Sequence, residues 1–124
     1  MNSQRPVNLK ISTIKLPITA YVSILHRISG FILFIGITLM LLLLHHSLAT
    51  EEGFESVKDS FANPLVKLVV WAMLSALMYH VVAGIRHLIM DIGIGETIEG
   101  GRTGSKIVIA VAVVLIIATG VWIW

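Results

Sequence analysis

The chain alternates long apolar runs with short polar ones, and the apolar runs have the length of a membrane crossing. Ile28–Leu44 carries no charge, and the apolar stretch Ile18–Leu25 precedes it with only His26 and Arg27 between. In Leu68–Ile85 the titratable groups are Tyr79 and His80, and Ile107–Trp124 has none. At 1.5 Å per residue each of the two later runs covers roughly 27 Å, close to a hydrocarbon thickness of about 30 Å. The pattern predicts an all-α membrane protein, one domain over residues 1–124, with three transmembrane helices at about 20–47, 64–91 and 105–124. Between them, ATEEGFESVKDSFANP and the glycine-rich DIGIGETIEGGRTGS read as polar loops, the first ending in a proline, Pro64, that suits a helix start.

Composition places the chain in a bilayer. Of its residues 56% are hydrophobic and 13% charged, against about a quarter charged in a soluble domain. Cysteine is absent, so the chain alone builds no disulfide, cysteine-ligated zinc site or iron-sulfur cluster, and any metal must be held by histidine. A net charge of +2 without a basic stripe interleaved with aromatics excludes nucleic acid as a partner. Acyl-transfer, phosphate-binding and zinc-protease motifs are missing, so no catalysis is expected from the chain in isolation. Arg5, Lys10, Lys15, Arg27, Arg86, Arg102 and Lys106 fall on one side of the spans, Lys58 and Lys67 on the other. The positive-inside rule then puts the N-terminus in the cytoplasm and the C-terminus outside, where the tryptophans of VWIW suit the interface.

Polar residues inside the spans are costly, and here they cluster. Ser23, His26, Arg27 and Gly30 follow the i, i+3, i+4, i+7 spacing of one helix face. Arg27 could simply snorkel to lipid phosphates while Ser23 bonds back to its own helix. Together they also suit a polar head group in an apolar setting, with a hydroxyl to hydrogen-bond and a fixed positive charge. On the second helix His80 and His87 lie two turns apart on nearly one face, with Gly84 between. Arg86 and Asp91 read as interfacial anchors and as candidate partners, and His87 also fits the interface. His80 lies deeper: it either hydrogen-bonds a neighbouring helix or offers its imidazole to a haem iron, with Gly84 leaving room for the macrocycle. Haem propionates would find cations in His26, Arg27, Arg86 and His87. His45 and His46, at the outer end of the first helix, are too far from His80 to share its iron, so a second axial ligand must come from another subunit.

The segments RPVNLKISTIKLPITAYVSILHRISG and HVVAGIRHLIMDIG resemble the diagnostic stretches of the cytochrome b membrane-anchor subunits of succinate dehydrogenase, respiratory complex II. The likeness spans nearly the whole chain: Arg-Pro at the start, Ser-x-x-His-Arg-x-Ser heading the first helix, His-x-x-x-Gly-x-Arg-His ending the second, then a third span. It implies that His80 is the axial ligand of haem b, with the other ligand on a second, smaller anchor subunit packed into the same bundle. Ser23, Ile24 and Arg27 match the ubiquinone site, and His26, Arg27 and His87 the positions approaching the haem propionates. It further implies partnership with an iron-sulfur subunit and a flavoprotein subunit, through which electrons from succinate reach ubiquinone. Arg27 would stabilise negative charge on the reduced quinone, and Ser23 would donate to a quinone oxygen. A guanidinium holds its protons throughout, so Arg27 is no proton donor.

The matching segment begins at Arg5, so a removable signal or transit peptide is not expected, and a bacterial inner-membrane location is. Other readings are the anchor of a fumarate reductase, which differs in electron direction, and a haem-free structural anchor whose polar groups only pack helices. A transporter or channel subunit fits poorly, because the polar groups occupy one half of the bilayer and a pathway should continue.

Overall fold

The computed structural model describes residues 7–124; the Arg5-Pro6 pair of the resemblance lies outside the described residues. Four α-helices follow a short 3-10 turn at Ile11–Thr13: α1 (Ile18–Ala49), α2 (Glu51–Ser60), α3 (Pro64–Asp91) and α4 (Ile98–Ile123). Three of them, α1, α3 and α4, are long and apolar enough to cross a membrane. At 32 residues, α1 is about 48 Å long and exceeds the hydrocarbon layer. The three form a bundle in which α3 packs between α1 and α4, while α2 folds back on α1.

The starts of α2, α3 and α4 each carry a side-chain cap, whereas α1 follows Pro17 without one. Thr50 caps α2 by accepting from the Gly53 amide at 2.9 Å, and Glu51 and Glu52 occupy the positively polarised first turn. Asn63 caps α3 by accepting from the Leu65 amide at 2.9 Å, with Pro64 in the first turn. Thr97 caps α4 through the Gly100 amide at 3.0 Å.

Two loop expectations are corrected by these caps. The acidic stretch after α1 is an amphipathic helix rather than a loop: Gly53, Val57 and Ser60 turn inward at helical spacing while the charges face out, and Lys58 pairs with Glu55 at 3.1 Å. The third long helix begins at Ile98, not near 105, so Gly100, Gly101 and Gly104 are helical. Glycine costs a helix about 1 kcal/mol each relative to alanine. Here its lack of a side chain lets α4 close on α3, for a Cβ on Gly104 would come within 2.9 Å of Arg86 Nε. The true loop is short. Gly93 (φ +86°) and Gly95 (φ +76°) take left-handed backbone. Gly93 also closes α3, with its amide donating to Met90 and that of Ile94 to Ile89, the pairing of a Schellman cap.

The core is thin. Val22, Ala83 and Val108, one from each long helix, are buried together with Tyr79 and Val82 packed against them. Most large apolar side chains, such as Phe31, Phe34, Leu88 and Val114, stay exposed. In water this surface would drive aggregation; in a bilayer it meets lipid or other subunits.

Candidate functional site: a histidine cluster between α1 and α3

The residues of α1 that close on α3 are Val22, Ser29, Leu33 and Gly36, buried at helical spacing. His26 and Gly30 share that seam, and His80 meets them from α3. The His26 and His80 rings stack with centroids 4.2 Å apart and planes 12° from parallel. His87, two turns beyond His80, tilts its ring onto His26 at 5.0 Å. Three imidazoles from two helices thus form one cluster.

Backbone and hydroxyl groups fix its orientation. Nδ1 of His80 lies 3.1 Å from the His26 carbonyl oxygen and 3.0 Å from Ser29 Oγ, while Ser29 Oγ donates to the same carbonyl at 2.7 Å. A carbonyl only accepts, so Nδ1 carries the proton and Nε2 keeps its lone pair. The lack of a side chain on Gly30 lets the ring come this close to α1, for a Cβ there would stand 3.0 Å from His80 Cε1. One residue earlier on α3, Tyr79 donates to the Val22 carbonyl at 2.8 Å. Consecutive residues of α3 therefore grip carbonyls one turn apart on α1. At the centre of the cluster, Nε2 of His26 is buried without a hydrogen-bond partner among the described residues, an arrangement that costs about 1–3 kcal/mol unless something supplies one.

The other expected residues divide. Ser23, one turn before His26, is half-buried, and Ile24 and Arg27 are exposed. Ser23 makes no bond back to its helix; Ser29 does. Gly84 leaves room, but what lies against it is the His26 ring, whose Nε2 would stand 3.5 Å from a Cβ there, so the expected macrocycle space at Gly84 is filled by an imidazole. Arg86 is corrected more fully. It neither joins the histidines nor pairs with Asp91, because six residues after His80 it emerges on a different face of α3, where it donates to the Gly101 carbonyl of α4 at 3.0 Å. There it borders a separate cavity of about 400 Å³ between α3 and α4. His45 and His46 are exposed at the far end of α1. Ser29 is the residue whose part was not foreseen; it appears in the Ser-x-x-His-Arg-x-Ser stretch, and only its i+7 spacing from Val22 marks it as buried.

Among the described residues no three His, Cys, Asp or Glu side chains are grouped to hold a bare metal ion, whereas a prosthetic group that brings its own equatorial ligands asks one imidazole of each face.

Comparison with known proteins gives the family. The succinate dehydrogenase/fumarate reductase transmembrane subunit family matches residues 1–119. The succinate dehydrogenase cytochrome b556 subunit of Coxiella burnetii is 46% identical, with all of both chains covered. That of Paracoccus denitrificans is 33% identical over 93% of this chain and 88% of its own. The mitochondrial cytochrome b560 subunit of Sus scrofa is 34% identical over 93% of this chain and 69% of its own. With three membrane-length helices and these matches over nearly its whole length, the chain belongs to the succinate dehydrogenase/fumarate reductase transmembrane subunit family and serves as a membrane subunit of such an oxidoreductase.

Proposed function

We propose that the chain is the larger membrane anchor of a bacterial succinate dehydrogenase, holding haem b through His80 and forming part of the ubiquinone-reduction site. The observation that carries this reading is the state of His80: Nδ1 is tied to α1, which leaves Nε2 as the donor atom. Metal-bound histidines have this arrangement, in which the second nitrogen donates to a carbonyl and so fixes tautomer and ring plane. The residues present fit the group. Nε2 of His26, buried and without a partner, suits a propionate oxygen, and His87 and Arg27 bring further positive or donor groups to that side. When bound, haem supplies a one-electron redox centre; the chain's part is to hold it and exclude water.

For the quinone, Ser23 offers a hydroxyl and Arg27 a permanent charge beside Ile24. Ile24 and Arg27 are exposed and Ser23 is half-buried, as suits a site that another subunit completes. Arg27 stabilises negative charge gained on reduction, most strongly where lipid and protein keep the dielectric low. The haem's other ligand belongs on a second small anchor subunit, and an iron-sulfur subunit and a flavoprotein subunit complete the enzyme. The N-terminus is cytoplasmic and the C-terminus faces the other side, following the arginine and lysine asymmetry. Because the relatives named above are succinate dehydrogenases, succinate oxidation is favoured over fumarate reduction.

The purified enzyme tests both halves. Ser23→Ala and Arg27→Leu should lower ubiquinone reduction by on the order of 10- to 100-fold, while succinate oxidation by an artificial dye continues at the wild-type rate. Unchanged quinone kinetics would remove both residues from the site. The haem half is read from the absorption spectrum of His80→Ala.

A further inference from the structure

We propose that Ser29 is a positioning residue for the His80 imidazole and sets how strongly that ring donates to iron, an inference that rests on the ligation by His80 proposed above. Ser29 is 5% exposed and lies on the buried seam of α1, where a serine between apolar helices needs a local reason. Its first bond is ordinary: the hydroxyl donates to the carbonyl three residues back at 2.7 Å. Its second is not, for Oγ is also 3.0 Å from His80 Nδ1 on another helix.

These contacts form a triangle. The His26 carbonyl, as a helical acceptor, already receives the amide four residues on, and both Ser29 Oγ and His80 Nδ1 approach it, the latter at 3.1 Å. With its one proton directed to the carbonyl, the hydroxyl presents a lone pair to the Nδ1 proton. Ser29 therefore gives His80 a second acceptor and helps to fix the ring plane. Acceptors on Nδ1–H increase the basicity of a ligating imidazole, which stabilises the oxidised iron more than the reduced. Removing one acceptor should weaken that donation and loosen the ring.

The experiment uses the assembled complex with Ser29→Ala, Ser29→Cys and Ser29→Thr. Cysteine refills the serine volume with a weak hydrogen-bonding group, and threonine restores the hydroxyl. Haem content, the midpoint potential and the g-values of the ferric haem are measured in each. With haem retained, the alanine and cysteine variants should show a raised midpoint and shifted g-values, and threonine should return both toward wild type. If alanine costs the complex its haem through the void it leaves, the cysteine variant carries the comparison. Wild-type potential and g-values in a haem-replete cysteine variant would overturn the role of Ser29 and leave ligation by His80 untouched. A wild-type haem spectrum in His80→Ala would instead remove the ligation on which the inference stands.

Discussion

Gly30 and Ser29 sit side by side on α1, and between them they determine where the His80 ring lies. A Cβ on Gly30 would stand 3.0 Å from His80 Cε1, whereas one on Gly36 would meet the thioether side chain of Met73 at 3.3 Å. A methionine chain adapts and a doubly hydrogen-bonded imidazole does not. Gly30→Val should therefore displace His80 and lower the haem content of the purified complex, while Gly36→Ala leaves it near wild type; equal haem in both would show that Gly30 is not a constraint on the ring. The three histidines of the cluster were legible from spacing alone, since His80 and His87 repeat every two turns and His26 shares the polar face of α1. The part of Ser29 and the turn of Arg86 toward α4 were not. Helices that are apolar nearly all round give no periodic signal of which face meets which neighbour, so the α1–α3 seam emerges only once the helices are packed.

At the scale of elements, α3 is held by side chains that reach backbone carbonyls of its neighbours: Tyr79 and His80 on α1, Arg86 and Trp71 on α4. Trp71 Nε1 donates to the Ile116 carbonyl at 2.9 Å, and its ring meets Trp124 edge to face at a centroid distance of 6.3 Å. The pocket for it depends on Gly120, where a Cβ would lie 3.1 Å from Nε1. Trp71→Phe removes the donor and keeps most of the ring, so it should cost about 1 kcal/mol and lower the thermal midpoint of the solubilised complex by a few degrees. An unchanged midpoint would mean that this bond adds nothing to the α3–α4 contact. The long helices were plain from run length, but α2 and the first turns of α4 were not. Polar and glycine-rich stretches look alike whether they form loops or helices, and the distinguishing signals were single capping residues, Thr50 and Thr97, beside acidic first turns. Of the three glycines near the start of α4, Gly101 and Gly104 mark close approach to Thr19 and Arg86, and Gly100 to the Gly95 backbone, rather than a flexible connection.

For the whole molecule, a small shared core and a large apolar exterior describe a subunit of an assembly in lipid. Its chemistry is one-sided: the histidine cluster, Ser23 and Arg27 gather toward one end of the bundle, whereas the first half of α3 carries Lys67 at its start as its titratable side chain and the residues of α4 from Ile107 onward carry none. That distribution suits a cofactor and a substrate held near one surface and gives no continuous polar path across the membrane. The account depends most on the free nitrogen of His80 being an iron ligand. The direct test is a dithionite-reduced minus oxidised absorption spectrum of the complex purified with its co-expressed partner subunits, for wild type and His80→Ala. A b-type haem signal in the wild type that is lost or altered in the variant is the expected result; a variant with the wild-type haem spectrum, or a wild-type complex without haem, would contradict it.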